Sequence, residues 1–250
     1  MPGNCVSTAC ALLIGNELLN GSVDDCNLVV LARTLHELGI RLKRALVLPD
    51  HVETLSAEIS AASQQFDVVF TSGGVGPTHD DVTVCAAARA FGVDTVIDEE
   101  MRRALINHYG DPLSAAHTRL ALVPDGASMM KLPRTTWPTV VMRNVWILPG
   151  VPAIFQAKLD AVRYFLKGPV TYHCCAVLCR SDELSLKQLI DLTVQANPKV
   201  EVGSYPLWPP TDAQTKITFE GTDTEHLKHA VDQFVGGLPA NDLIRVDDGH

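Results

Sequence analysis

Thr71-Ser72-Gly73-Gly74-Val75-Gly76-Pro77-Thr78-His79-Asp80-Asp81 decides how the rest of the chain is read. The apolar run Val68-Val69-Phe70 precedes it, and an Ala-rich helical pattern from Val82 to Phe91 follows. Strand, glycine loop and helix in that order aim backbone N–H groups at an anion near the helix start. Gly73, Gly74 and Gly76 allow a phosphate to approach the main chain closely, because no Cβ stands in the way. Ser72 and Thr78 add hydroxyl donors, and Asp80 and Asp81 add adjacent carboxylates. A phosphate cradle beside paired acids suits a phosphorylated ligand held through a divalent cation, since Mg²⁺ draws its oxygen ligands from carboxylates and phosphates together. The plainer alternative is a tight turn capped by Asp80 or Thr78.

Upstream, Thr8 to Ile14 is apolar throughout, the pattern of a strand covered on both faces. A polar loop from Gly15 to Asn27 follows. Leu28, Leu31, Leu35 and Leu38 then recur at helical spacing and stop at Gly39. A second strand, Arg41 to Leu48, ends at Pro49-Asp50. The next helix carries Leu55, Ile59 and Ala62 on one face, and the strand Asp67 to Phe70 leads into the glycine loop. This β-α-β-α-β-α order predicts an α/β fold, a mostly parallel sheet with helices on both faces and right-handed crossovers. Ligands bind such sheets beyond the carboxyl ends of the strands. The loops after the first and third strands both lie there, which brings Asn16, Glu17 and Asp24 within reach of Asp80 and Asp81.

Downstream, Val93 to Ile97 reads as a short strand and Asp98 to His108 as a helix. Gly110 to Pro138 is loop-rich, a flap or hairpin over the site. Val140 to Leu148 holds two short apolar pieces around an Arg143-Asn144 turn. Pro149-Gly150-Val151-Pro152 then opens a helix from Ala153 to Leu166, with Pro152 suited to its start. Lys167-Gly168-Pro169 marks a boundary between a domain over residues 1–168 and a small α+β subdomain over residues 169–250. The subdomain reads β-α-β-β-α: strands 171–179, 200–204 and 214–220, and helices 182–196 and 224–235. The last helix carries a capping box, Thr222-x-x-Glu225, and a stripe of Leu227, Ala230, Val231 and Phe234. The polar tail, Asn241 to His250, is expected to fray.

Composition excludes several classes. The net charge is −9 and there is no basic run, which argues against nucleic acid and anionic membrane as partners. No apolar run approaches the ~18 residues of a membrane span. Met1-Pro2-Gly3-Asn4 has no basic region of the signal-peptide kind. The seven cysteines are odd in number and scattered, as expected for reduced thiols in the cytoplasm. His173-Cys174-Cys175 and Cys179 lie in a β-like run where neighbours face opposite ways, and no second ligand pair stands at zinc spacing.

Three strings carry a resemblance. They are Ile14-Gly15-Asn16-Glu17-Leu18-Leu19-x-Gly21 with Asp24 and Asn27, the stretch Thr71 to Asp81, and Leu148-Pro149-Gly150-Val151-Pro152. In this order, over roughly residues 9 to 166, the chain resembles the molybdopterin-binding (MoCF, MoaB/Mog-type) fold. Within it, the likeness is to CinA-like proteins and the N-terminal domain of eukaryotic FAD synthase. Gly203-Ser204-Tyr205-Pro206-x-Trp208 resembles the FAD-synthase type more than the bacterial one. The likeness does not reach the reductase-like domain that makes FAD, so FAD synthesis is not expected.

The resemblance implies a three-layer α/β/α fold with a pterin or nucleotide site at the glycine loop. It implies either metal-dependent hydrolysis of nucleotide pyrophosphates such as FAD and ADP-ribose, or molybdopterin binding without hydrolysis, or a silent regulatory or oligomerisation domain. A homo-oligomer, a dimer by preference, is implied too. The ligand-binding candidates are Gly15, Asn16, Thr71, Ser72, Gly73, Gly74, Val75, Gly76, Pro77, Thr78, Pro149 and Gly150. Asp81, Asp80 and Asp24 are the candidates for a divalent cation, and Asp81, Asp80 and Glu17 for catalysis. The family's first loop usually shows Gly-Asp-Glu where this chain has Gly15-Asn16-Glu17. Asn brings an oxygen but no charge, so a cation leans on the other acids.

Each residue also has a structural reading. Asp81 suits a helix cap, Glu17 and Asp24 suit solvated loop positions, and Asn27 suits the cap of the first helix. His79 is either a general acid or a bystander. Trp137 and Trp208 are candidates to stack on a flat ring, while Trp146, in mid-strand, is expected in the core.

Overall fold

In the computed structural model, which describes residues 4–133, 135, 137–209 and 212–249, the uncharged run Thr8–Ile14 is an interior strand of the main sheet. Met1 to Gly3 and His250 lie outside the described residues. Two compact units are present, Met1–Pro169 and Val170–His250.

The first unit begins β1 (Asn4–Cys5), β2 (Thr8–Ile14), a one-turn α1 (Asn16–Leu19), α2 (Asn27–Glu37), β3 (Arg41–Leu48), α3 (Val52–Gln65), β4 (Val68–Ser72) and α4 (Thr83–Ala90). It continues with β5 (Thr95–Ile97), α5 (Glu99–Tyr109), α6 (Ala115–Arg119), β6 (Leu122–Pro124), β7 (Ser128–Met130), β8 (Thr139–Met142), β9 (Val145–Leu148), α7 (Pro152–Phe165) and β10 (Leu166–Lys167). The main sheet has the order β3-β2-β4-β9-β8-β7. β3, β2, β4 and β9 are parallel, and β8 and β7 pair antiparallel on the β9 side.

Alternation along β2 sorts the layers. Ala9 and Ala11 pack with Leu31 and Leu35 of α2 and Phe155 and Leu159 of α7. Cys10, Leu12 and Ile14 pack on the opposite face with Leu55 and Ile59 of α3 and Ala86 and Ala87 of α4. The sheet is thus covered on both faces, a three-layer α/β/α arrangement. Burial of a Leu, Ile or Phe side chain contributes about 1.5–3 kcal/mol, so both faces hold the sheet in place. Trp146 is buried in the first of these layers, as expected for a mid-strand aromatic.

Four sequence expectations need correction in this unit. β4 runs on through Thr71 and Ser72, because both pair with β2 and β9. The Gly15–Asn27 loop contains α1. Residues 110–138 are more than a flap: they hold α6, β6 and β7, and β7 extends the main sheet through β8. The strand expected at Val93–Ile97 is shortened to β5 and pairs with β6 instead of joining the main sheet.

The second unit comprises β11 (His173–Cys179), α8 (Glu183–Ala196), β12 (Glu201–Pro206), β13 (Thr215–Gly221), α9 (Thr224–Gly236) and β14 (Leu243–Gly249). Its sheet is antiparallel with the order β12-β13-β11-β14. Val177, Ile217 and Phe219 of the sheet pack with Leu186 of α8 and Ala230 and Phe234 of α9. The tail does not fray as its polarity predicts. β14 pairs along β11, whose outer N–H and C=O groups would otherwise lack partners. The capping box is displaced by one residue: Asp223, not Thr222, caps α9 and accepts from the Glu225 and His226 N–H groups.

Among the described residues no helix is long and apolar enough to cross a membrane. All seven cysteines are free thiols. Burial raises the Cys10 thiol to about 11 and the Cys179 thiol to about 12, so neither is a nucleophile at neutral pH.

Candidate functional site

The chain leaves β2 toward β3 on one side and reaches β9 on the other side of β4. Such a reversal opens a crevice at the carboxyl ends of the strands. Here it is a cleft of about 720 Å³, within the range of small-molecule sites.

The glycine loop forms its floor. Gly73 has φ 111° and Gly74 has φ 65°, backbone that a side chain disfavours. A Cβ on Gly73 would overlap the Ile14 carbonyl oxygen, and one on Gly74 would overlap Thr83 Oγ1. α4 fastens the loop from below. Thr83 Oγ1 donates to the Gly73 carbonyl at 2.8 Å, and Thr83 N–H donates to the Gly74 carbonyl at 2.9 Å. The Gly73 N–H is used on the Leu148 carbonyl at 3.2 Å.

Asp81 closes the loop on itself. Its carboxylate accepts from Gly76 N–H at 2.6 Å, Thr78 N–H at 2.7 Å and Thr78 Oγ1 at 2.5 Å. It does not cap α4, whose first flanking residue is Val82 with no side-chain cap. The N–H groups of Gly74 and Val75 make no hydrogen bond among the described residues. Consecutive free amides that follow one another through a left-handed residue, here Gly74, form an anion-binding concavity.

Asp80 also faces the cleft. Its carboxyl is held below the usual range, first by the Thr78 hydroxyl, then by its own N–H and the neighbouring His79. That hydroxyl carries one proton and serves Asp80 and Asp81 one at a time. His79 itself is exposed, 3.8 Å from Asp80, and does not line the cleft.

Of the other expected site residues, Glu17, Asp24, Ser72, Gly76, Pro149 and Gly150 line the cleft. Gly15, Asn16, Thr71, Pro77 and Thr78 do not. Thr71 is buried in β4, with its hydroxyl turned to the Leu148 N–H at 3.4 Å. Asn16 acts through its backbone, whose N–H donates to Asp50 Oδ2 at 2.8 Å. Asp50 and Asp25 line the cleft and were not anticipated.

Asn27 is buried, and its amide donates to Ser72 Oγ at 3.0 Å and to the Gly150 carbonyl at 2.8 Å. It therefore joins the end of β4 to the loop after β9. The cap role expected of it falls to Asp25, whose carboxylate accepts from Leu28 N–H at 2.8 Å. Only the place of Asn27 in the first of the three strings hinted at this. Trp137 lines the cleft with Tyr109, whereas Trp208 is 90% exposed in the second unit.

The acids of the cleft are hard oxygen donors of the kind a divalent cation takes. Among the described residues no three of them bring their oxygens within 4.8 Å of one another. That spread fits a cation whose shell is completed by ligand phosphate and water, as Mg²⁺ shells commonly are.

Comparison with known proteins agrees with this architecture. The family described as "Probable molybdopterin binding domain" matches residues 10–168, and "FAD synthase, middle domain" matches residues 171–247. A protein of Archaeoglobus fulgidus is 32% identical over 222 residues, 88% of this chain and 93% of that one. A probable FAD synthase of Caenorhabditis elegans is 32% identical over 253 residues, 90% of this chain. The match covers 48% of the worm protein, so the chain spans about half the length of that relative. Among solved structures, CinA of Thermoplasma acidophilum, described as of unknown function, has a TM-score of 0.58 at 30% identity. It covers 63% of this chain and 96% of its own.

Proposed function

The chain belongs to the molybdopterin-binding domain family, and from that premise we propose that its cleft binds a nucleotide pyrophosphate and hydrolyses it with a divalent cation. The reaction takes FAD to FMN and AMP, or splits ADP-ribose at the same linkage. The observation that carries the proposal is the pair of unengaged amides, Gly74 and Val75 N–H, in a cleft bordered by Glu17, Asp24, Asp80 and Asp81.

In this reading the two amides stabilise charge on the phosphoryl oxygens. Asp80, Asp81 and Asp24 hold the cation. When bound, such a cation neutralises phosphate charge and lowers the pKa of a water. Glu17 is the candidate base that takes the proton of the attacking water, while the bond between phosphorus and the bridging oxygen breaks. A cytoplasmic setting, in keeping with seven scattered free thiols, and a dimer belong to the same proposal.

The test is direct. The purified protein is incubated with FAD and Mg²⁺, Mn²⁺ or Co²⁺, and FMN and AMP are followed by chromatography. Stoichiometric release of both supports the reading, and no release under any of the metals contradicts it.

A second reading, molybdopterin binding without hydrolysis, has its own support. Asn16 brings no charge to the first loop, and Asp81 spends both oxygens on the glycine loop. Tight pterin binding together with no release from FAD would favour it.

A further inference from the structure

Lys158 is a half-buried cation in this cleft with no acid beside it. It lies on α7 one turn beyond Ile154, and both residues line the cleft. Its Nζ donates to the carbonyl oxygens of Trp137 at 2.7 Å and Pro138 at 2.8 Å. An ammonium has three N–H groups, so one donor remains. Among the described residues no carboxylate pairs with it, although acids line the same cleft. Burial alone pulls its pKa down to about 8. Arg119, the other basic residue of the cleft wall, is exposed and donates to the Asp81 carbonyl at 3.3 Å, so it carries no comparable desolvation.

A desolvated ammonium held only by carbonyl dipoles gains most from an anion. Its position indicates which anion. Lys158 lies six residues along α7 from Pro152, a rise of about 9 Å, and helix side chains tilt back toward the N-terminus. That direction leads to Gly150, where a Cβ would stand 3.2 Å from Gly73 Cα. Lys158, Gly150 and the Gly74 and Val75 amides therefore line one cleft, with one Lys158 donor unspent.

We propose that Lys158 contacts the second phosphate of a diphosphate ligand whose first phosphate lies on the Gly74 and Val75 amides. This rests on the reading of the cleft as a nucleotide pyrophosphate site and makes the second phosphate the group that selects among nucleotides.

The test compares ADP with AMP by calorimetry, with and without Mg²⁺, for the wild type, Lys158→Met and Lys158→Gln. Melting temperatures check that the variants fold. Gln keeps an N–H donor for the carbonyls without the charge. The expected result is a fall of about tenfold to a hundredfold in the preference for ADP over AMP in both variants, the worth of a charge-assisted hydrogen bond, with AMP affinity nearly unchanged. An unchanged preference in Lys158→Gln would overturn the proposal. So would an equal loss of AMP and ADP affinity, which would make the lysine a support for Trp137 only. A wild type that binds inorganic pyrophosphate in a Lys158-dependent way but neither nucleotide would sink the nucleotide reading and leave the diphosphate contact standing. Binding of none of the three would end both.

Discussion

The Asp81 carboxylate accepts the Gly76 N–H at 2.6 Å, so the acid that ends the glycine loop also shapes it. With the Thr78 N–H and hydroxyl on its other oxygen, Asp81 satisfies the back of the loop and leaves the Gly74 and Val75 amides open. Asp81→Asn keeps the size but sets an amide N–H₂ against N–H donors. We expect it to abolish FAD turnover and to lower the melting temperature by about 2–8 °C, the effect of about 1–2 kcal/mol in a protein of this size. Thermal melts and product chromatography measure both, and turnover at the wild-type rate would contradict the role given to this acid.

Gly73 and Gly21 both have positive φ, 111° and 73°, but different surroundings. A methyl at Gly73 would meet the Ile14 backbone, and one at Gly21 would meet nothing within 4 Å. Gly73→Ala is expected to cost more than about 3 kcal/mol in urea unfolding and to remove nucleotide binding. Gly21→Ala should cost only about 1 kcal/mol. Equal costs would mean that the close approach of β2 to the loop is not what requires glycine.

Asn27 reaches across 123 residues of sequence to the Gly150 carbonyl, and the same amide donates to Ser72 at the end of β4. Asn27→Ala leaves the Gly150 carbonyl and the Ser72 hydroxyl without that donor, at a cost of about 2–3 kcal/mol. Because Gly150 borders the cleft, AMP affinity should fall as well, and calorimetry reads that fall. Asn27→Asp should be worse, since a carboxylate would face the carbonyl oxygen. A stable, fully binding Asn27→Asp would show that the bridge is incidental.

Asp67 fastens the start of β2 to the start of β4 by accepting from Ser7 N–H and Thr8 N–H, each at 2.9 Å. Those bonds, the Ser7 N–H first, hold its carboxyl below the ordinary 3.8. A carboxyl lowered by folding adds stability above its unfolded pKa and loses it as pH falls through the folded one. The group is exposed, so about 1 kcal/mol at pH 7 is the expected loss in Asp67→Asn. The gap between variant and wild type should narrow as pH drops below 3.8. A gap that stayed constant down to acid unfolding would exclude the ionised form as its source.

What the sequence revealed was local. Thr8–Ile14 and Val68–Phe70 are apolar enough to be strands by themselves, and three glycines before an Ala-rich helix mark the loop. The misses are long-range. β14 forms because β11 offers an open edge, which the polar residues of the tail do not announce. Asn27 resembles any helix-start asparagine until Gly150 is brought to it. Lys158 resembles any helix-surface lysine until Trp137 and Pro138 cover it. Thr222 and Asp223 are both good caps, and only geometry separates them.

The most direct measurement is a crystal structure of the protein with ADP and Mg²⁺. A phosphoryl oxygen accepting from both Gly74 N–H and Val75 N–H at about 3 Å is the expected result. ADP bound elsewhere, with those two amides facing only solvent, would contradict the glycine loop as the phosphate site.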